Sequence, residues 1–312
     1  YMIIIDAHCD TITKIMETNS NLYKNNCHVD VERLKKYKNC VQFFAAFVDK
    51  SLYYPNTLKR ALEIINVFYQ EVENCKDHIM LCCNYNHIEK AFKEEKIAAI
   101  LSIEGGEALQ GEVSMLKIFY RLGVRSLCLT WNYRNEIADG VFESESRGGL
   151  TLFGKEIIKE MNFLGMLIDL SHISESGFWD VMELSKQPVI ASHSNAKKVC
   201  SHIRNLNDDQ IMAIKNNGGV IGINLCPDFL SDNKDAYLKD IIKHIEYIVG
   251  LIGIDHIGLG ADFDGIDSLP KDINGVEDIY KIVDELLKLN YSNEDVEKFL
   301  GKNFLRVIKK VL

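Results

Sequence analysis

Apolar residues recur along the chain in runs of five to eight, separated by stretches with helical periodicity. Eight runs read as strands: Ile3–His8, Val41–Val48, Ala98–Ile103, Ser126–Trp131, Leu167–His172, Val189–His193, Val220–Leu225 and His256–Asp262. Between them, Leu58–Cys75, Ile88–Glu95, Val113–Leu122, Phe153–Phe163, Glu175–Leu184, Asp208–Asn216 and Lys239–Leu251 carry the 3.6-residue spacing of amphipathic helices. Runs this apolar are buried on both faces, as in a parallel sheet covered by helices. Eight β/α repeats favour a closed (β/α)8 TIM-like barrel over an open doubly wound sheet. No Gly-rich dinucleotide fingerprint follows the first strand. Three further helical segments, around Ile279–Leu289, Asn293–Leu300 and Asn303–Leu312, form a tail from about residue 276. No linker divides the chain, so one domain over residues 1–312 is expected. Asn132–Gly149 is a polar loop long enough to cover a site.

Polar residues collect where the strands end. Leu167–Ser194 holds two apolar runs, LIDLSH and VIASHS, joined by one helix, and they end on or beside His172 and His193. A strand–helix–strand unit places its strands parallel, so their C-terminal ends present two imidazoles side by side. The first run ends in His8 and Asp10, whose spacing of two puts both on one face. The third ends in Glu104, followed by two glycines, and the last in Asp262 and Asp264. Singly, each has a structural reading: a rim histidine, a solvated glutamate, a turn-capping aspartate. Jointly, four strands place His8, Asp10, Glu104, His172 and His193 at one level of a barrel mouth, where unpaired carboxylates would repel. Two divalent ions, with zinc as the expected metal, remove that repulsion. Glu104 would bridge them, with His8 and Asp10 on one ion and His172 and His193 on the other. The remaining histidines, His28, His78, His87, His202 and His244, fall in helical or loop stretches and are expected at the surface. His256 opens the last strand, at the wrong end of the barrel.

Composition narrows the partners. The 312 residues are 47% apolar and carry a net charge of −9, with no basic block, which disfavours nucleic acid. No apolar run approaches the roughly 20 residues needed to span a bilayer. MIIID follows Tyr1 without a basic-then-apolar leader, and the nine cysteines include no CxxC pair. Reduced thiols and a cytoplasmic location are the expectation.

IDAHCDT, SIEGGEAL, LTWNYRN, IDLSHIS, ASHSNAKKVCSHIRNL, GLGADFDG and GKNFLRV together resemble the membrane dipeptidase (renal dipeptidase, peptidase M19) family from residue 4 to about 307. The resemblance implies a metallo-hydrolase barrel with two zinc ions that cleaves dipeptides, often with a D-residue at the C-terminal position; a water bridging two such ions would lose a proton near neutral pH and attack the peptide carbonyl as hydroxide. The resemblance matches His8, Asp10, Glu104, His172 and His193 to the family's ligands. It also matches Asp262 to its acid/base carboxylate and Arg204 to the arginine that holds the substrate carboxylate. Mammalian members carry a histidine where this chain has Trp131, which has one N–H donor and no basic nitrogen. Trp131 and Asn132 are therefore the expected substrate contacts at that position, with Asn132 or a metal serving the oxyanion. Relatives suggest a homodimer. The alternatives are another amidohydrolase-type enzyme (an N-acyl amino acid deacylase, lactonase or β-lactam hydrolase) and a barrel that binds metal or peptide without turnover. The carboxylated lysine that bridges many amidohydrolase metals has no counterpart at the end of strand four.

Overall fold

In the computed structural model, which describes residues 2–233 and 235–312, the strands are β1 (Ile3–Asp6), β2 (Asn39–Phe47), β3 (Ile79–Leu81), β4 (Ile97–Glu104), β5 (Val124–Cys128), β6 (Leu167–Asp169), β7 (Ile190–Ala191), β8 (Val220–Ile223) and β9 (Ile257–Leu259). All pair in parallel, in the order β2-β1-β9-β8-β7-β6-β5-β4. β2 then pairs with β4 from Val41↔Ala98 to Phe47↔Glu104 and closes an eight-stranded barrel. The expected (β/α)8 architecture is what forms. One strand escaped the sequence reading. β3 lies beside the first residues of β4 (Ile79↔Ile97, Leu81↔Ala99), on the edge that β5 takes over further along. At three residues it is too short for an alternation to register.

The helices follow from local chemistry. Thr151 and Ser174 accept backbone N–H groups from Gly154 and Gly177, starting Leu152–Leu164 and Glu175–Leu184. Asn207 and Gln210 cap Asp208–Asn217 reciprocally. Thr11–Thr18, directly after the first strand, is a helix that the sequence reading left unassigned.

Two apolar layers hold the barrel. On β4, Ala98, Ile100 and Ser102 share the face of Glu104, by the two-residue alternation of a strand. Ala98 and Ile100 pack with Val41, Phe43, Leu167, Ile190 and Val220, and with Phe304, Val307, Ile308 and Val311 of the C-terminal helix Asn303–Val311. The alternate residues Phe44, Ala99, Leu101, Ile168, Ala191 and Ile221 pack against the surrounding helices. Among the described residues, no helix is long and apolar enough to cross a membrane.

His244 corrects the expectation of a surface residue. It sits on the inner face of Leu238–Ile252, fully buried. Its Nδ1 accepts from the Ala196 N–H (3.1 Å) and its Nε2 donates to the Leu230 carbonyl (3.2 Å). Burial pushes its imidazole down to about 4. The folded state therefore keeps it neutral, whereas the unfolded chain protonates near pH 6.5. Its stabilising contribution is full above that pH and is lost as pH falls from about 6.5 to 4, at most about 3 kcal/mol. His244→Gln can make both hydrogen bonds without titrating. Denaturant melts of metal-free protein should show the wild type losing roughly that much stability relative to the variant across this window.

Candidate metal centre and active site

The site stands at the C-terminal mouth, where each ligand-type group lies at or just beyond a strand end. Glu104 is the last residue of β4. Gly105 follows with φ +91°, a conformation that favours glycine, and turns the chain away at once. His8, His172, His193 and Asp262 lie two or three residues past β1, β6, β7 and β9 rather than within them. His172 (φ +68°) and Asp262 (φ +61°) are left-handed, a cost of about 1 kcal/mol or more each that structures accept mainly at functional positions.

Glu104 is central. Its Oε2 lies 3.3 Å from His8 Nε2, which is itself 3.2 Å from Asp10 Oδ2. Its Oε1 lies 2.8 Å from His172 Nε2 and 3.7 Å from His193 Nε2. The two imidazoles approach each other at 2.8 Å, Nε2 to Nε2. Asp262 Oδ1 is 3.8 Å from His8 Nε2, while its Oδ2 accepts from Asn224 Nδ2 at 2.9 Å. Ligand atoms of His8, Glu104 and His193 fall within 4.8 Å of one another, as do those of His8, Asp10 and Asp262. Gly265 is needed here: a Cβ on it would come within 2.2 Å of Asp10 Oδ2 and 2.5 Å of Asp262 Oδ1.

Burial sets the electrostatics. It pushes the Glu104 carboxyl up to about 7, against the pull of the His8 charge. It also raises Asp262. Burial holds His172 and His193 well below the ordinary histidine value, helped by repulsion from Arg204 and His8. At His8 burial acts downward too, but the Glu104 and Asp10 charges outweigh it and the imidazole stands well above its ordinary value. The donor set fits divalent cations. Two imidazoles held neutral aim their Nε2 atoms at one carboxylate oxygen and at each other, and Asp10 Oδ1 is buried without a partner.

A cavity of about 460 Å³ opens over these groups, large enough for a small peptide. Arg204 and Trp131 both line it. Arg204 is buried; Nη2 donates to the His193 carbonyl (3.1 Å), while Nε has no partner. No carboxylate among the described residues pairs with it. Trp131 stacks at centroid distances of 5.3 Å on Phe47, 5.7 Å on Tyr133 and 6.2 Å on His172, making an aromatic wall. Asn132 turns its amide oxygen to His172 Nδ1 at 2.8 Å. The long loop is ordered over the mouth: Val141 N–H donates to the His172 carbonyl (2.9 Å) and Phe142 lines the cavity.

Over residues 1–312 the chain matches the family model for membrane dipeptidase, peptidase family M19. The chain belongs to that family. M19 membership supports a metal-dependent dipeptidase. A relative from Klebsiella pneumoniae, described as an uncharacterized protein in the pqqA 5′ region, is 36% identical over 254 residues, covering 78% of this chain and 93% of the relative. The solved dipeptidase AC, a metallopeptidase of family M19, superposes with a TM-score of 0.91 at 24% identity, covering 99% of this chain and 98% of the other. A metallopeptidase from Rhodobacter sphaeroides, liganded with a phosphinate mimic of the dipeptide L-Ala-D-Ala, gives 0.90 at 23% identity, covering 100% and 99%. At these identities the structures establish the fold.

The structure brings together His8, Asp10, Glu104, His172, His193 and Asp262 of this M19 chain, with Arg204, Trp131 and Asn132 around them. Asp264 does not join the cluster, although a spacing of two puts it on the Asp262 face of an extended strand. It too is left-handed (φ +67°), and its carboxylate accepts from Thr11 Oγ1 (2.6 Å) and from His28 N–H (2.7 Å). His28 is correspondingly half-buried, and His202 lines the cavity, so neither is a plain surface residue. Asn224, Ser192 and Asp169 were missed. Asp169 did carry a signal, a charge inside an apolar run, where an unpaired carboxylate is rare.

Proposed function

We propose that this chain is a zinc-dependent dipeptidase with a dinuclear centre held by His8, Asp10, Glu104, His172 and His193. The observation that carries this reading is the division of Glu104, whose two carboxylate oxygens face two different ligand sets. When bound, such a pair of ions supplies an acidified water and an electrophile for the peptide carbonyl. Asp262 takes up the proton and delivers it to the leaving amine. Asn224 ties one of its oxygens and leaves the other toward the site. Its raised affinity for protons suits a group that must carry one. Arg204 grips the substrate's free carboxylate, which limits the enzyme to short peptides. The aromatic wall of Trp131 and Phe47 packs against an apolar substrate side chain, and the Asn132 amide nitrogen is left to donate to the substrate carbonyl. The L-Ala-D-Ala mimic bound by the Rhodobacter neighbour supports acceptance of a D-residue at the C-terminal position.

The test is metal-stripped protein titrated with zinc and offered L-Xaa–L-Xaa and L-Xaa–D-Xaa dipeptides beside N-acyl amino acids, a lactone and a β-lactam. Release of free amino acids that saturates at two equivalents of zinc is the expected result. Turnover of the acyl or lactone compounds alone would replace the dipeptidase reading. Zinc binding without any turnover would leave a binding barrel.

A further inference from the structure

Beneath the ligand-type groups lies a buried polar chain, Asp169–Ser192–His193, that does not line the cavity. Asp169, the last residue of β6, accepts at Oδ1 from the backbone N–H groups of Ser171 (3.0 Å) and Ser192 (2.9 Å). At Oδ2 it accepts from the Ser192 hydroxyl. Ser192 Oγ in turn lies 2.8 Å from His193 Nδ1. Asp169, Ser192 and His193 are 3%, 1% and 0% exposed, so water does not compete for these bonds.

We propose that Asp169, acting through the Ser192 hydroxyl, fixes His193 as the Nδ1–H tautomer and thereby keeps its Nε2 lone pair aimed into the metal centre. The argument is a proton count. A carboxylate only accepts, so the single hydroxyl proton of Ser192 goes to Asp169. Ser192 Oγ can then only accept from Nδ1, and the one proton of a neutral imidazole resides there. Ser171 Oγ, which accepts the His193 N–H at 3.1 Å, sits 3.3 Å from Ser192 Oγ and can donate to its other lone pair. Asp169 is thus a positioning residue. The inference rests on the dinuclear reading for its consequence, though not for the tautomer itself.

Two near-isosteric changes separate this role from a mere staple between β6 and β7. In Asp169→Asn the amide oxygen can still accept both backbone N–H groups. Its NH2 now donates to Ser192, which frees the hydroxyl proton to turn to Nδ1 at 2.8 Å, a shorter contact than Ser171 Oγ at 3.3 Å, and to drive the imidazole proton onto Nε2. Ser192→Ala keeps the backbone bonds and removes the hydroxyl that links Asp169 to His193, together with its contact to Ser171 Oγ. Chelator-competition titrations should show two zinc ions in the wild type. Ser192→Ala should bind one of them about 10- to 100-fold more weakly, the range for losing a group that orients a ligand. Asp169→Asn should lose at least as much; Ser192→Ala also strips Asp169 Oδ2 of its hydroxyl donor and should lower the metal-free unfolding temperature, so the titrations are run well below it. Nitrogen NMR of the metal-free proteins should place the His193 proton on Nδ1 in the wild type and on Nε2 in Asp169→Asn. Unchanged zinc affinity in Ser192→Ala, or a wild-type proton on Nε2, overturns the proposal. Should Asp169→Asn fail to fold, Ser192→Ala and the wild-type spectrum decide it. A wild type that binds no zinc would instead defeat the dinuclear reading, leaving the spectrum to judge the relay.

Discussion

Glu104→Gln is expected to abolish zinc binding at both positions and lower dipeptide kcat/KM by roughly 10³-fold or more, about 4 kcal/mol of transition-state stabilisation. An amide has one acceptor oxygen and no charge, so it cannot face both His8 and the His172–His193 pair as a ligand. The side chain is otherwise nearly unchanged in shape, which isolates the chemistry from packing. Metal-free protein should respond in the opposite direction. Glu104 is buried beside Asp10 and Asp262, and burial with their repulsion raises its carboxyl to about 7. Replacing it with a neutral amide relieves that crowding, so metal-free Glu104→Gln should unfold at a temperature no lower than metal-free wild type. Thermal melts with and without zinc read both effects. The wild type should gain stability from the metal by mass action, and the variant should gain none. Two tightly bound zinc ions in the variant would remove Glu104 as the bridge.

The barrel was legible because its strands are buried on both faces, and that burial forces apolar runs which a single sequence displays. Strand ends were less so. LIDLSH reads as one run, yet pairing stops at Asp169, since Leu170–His172 bends into the left-handed turn that points the imidazole inward. Residue type at a strand end therefore marked the groups that the structure brings together, while the backbone that aims them did not show. Asp262 and Asp264 make the same point. Alternation puts both on one face only while the chain stays extended, and here both residues are left-handed. Arg204 was invisible to periodicity. It lies in an irregular segment between β7 and the helix Asp208–Asn217, and its burial depends on a long-range fold over the His193 carbonyl. His244 fell on the buried face of an amphipathic helix, where an imidazole that satisfies two backbone groups looks, in sequence, like a polar surface residue.

Arg204→Ala should raise KM for dipeptides by roughly 10²-fold while leaving zinc stoichiometry at the wild-type value. The guanidinium is buried at the cavity wall over the Phe229 ring, its Nε lacks a hydrogen-bond partner, and Nη2 donates to a carbonyl. A carboxylate entering the cavity can be met by two parallel charge-assisted bonds away from bulk water, and truncating one partner of such a pair costs about 2–5 kcal/mol. Arg204→Lys should recover little, because a point ammonium cannot reproduce the fork. The decisive comparison uses a dipeptide and its C-terminal carboxamide. Wild type should disfavour the carboxamide by about the factor that Arg204→Ala loses on the free acid, and the variant should hardly distinguish the two. If Arg204 instead served only to brace His193, the variant would lose zinc and treat both substrates with the same reduced rate. Equal dipeptide kinetics in wild type and variant would eliminate the clamp altogether, and recognition of the free carboxylate would have to come from another group along the cavity wall.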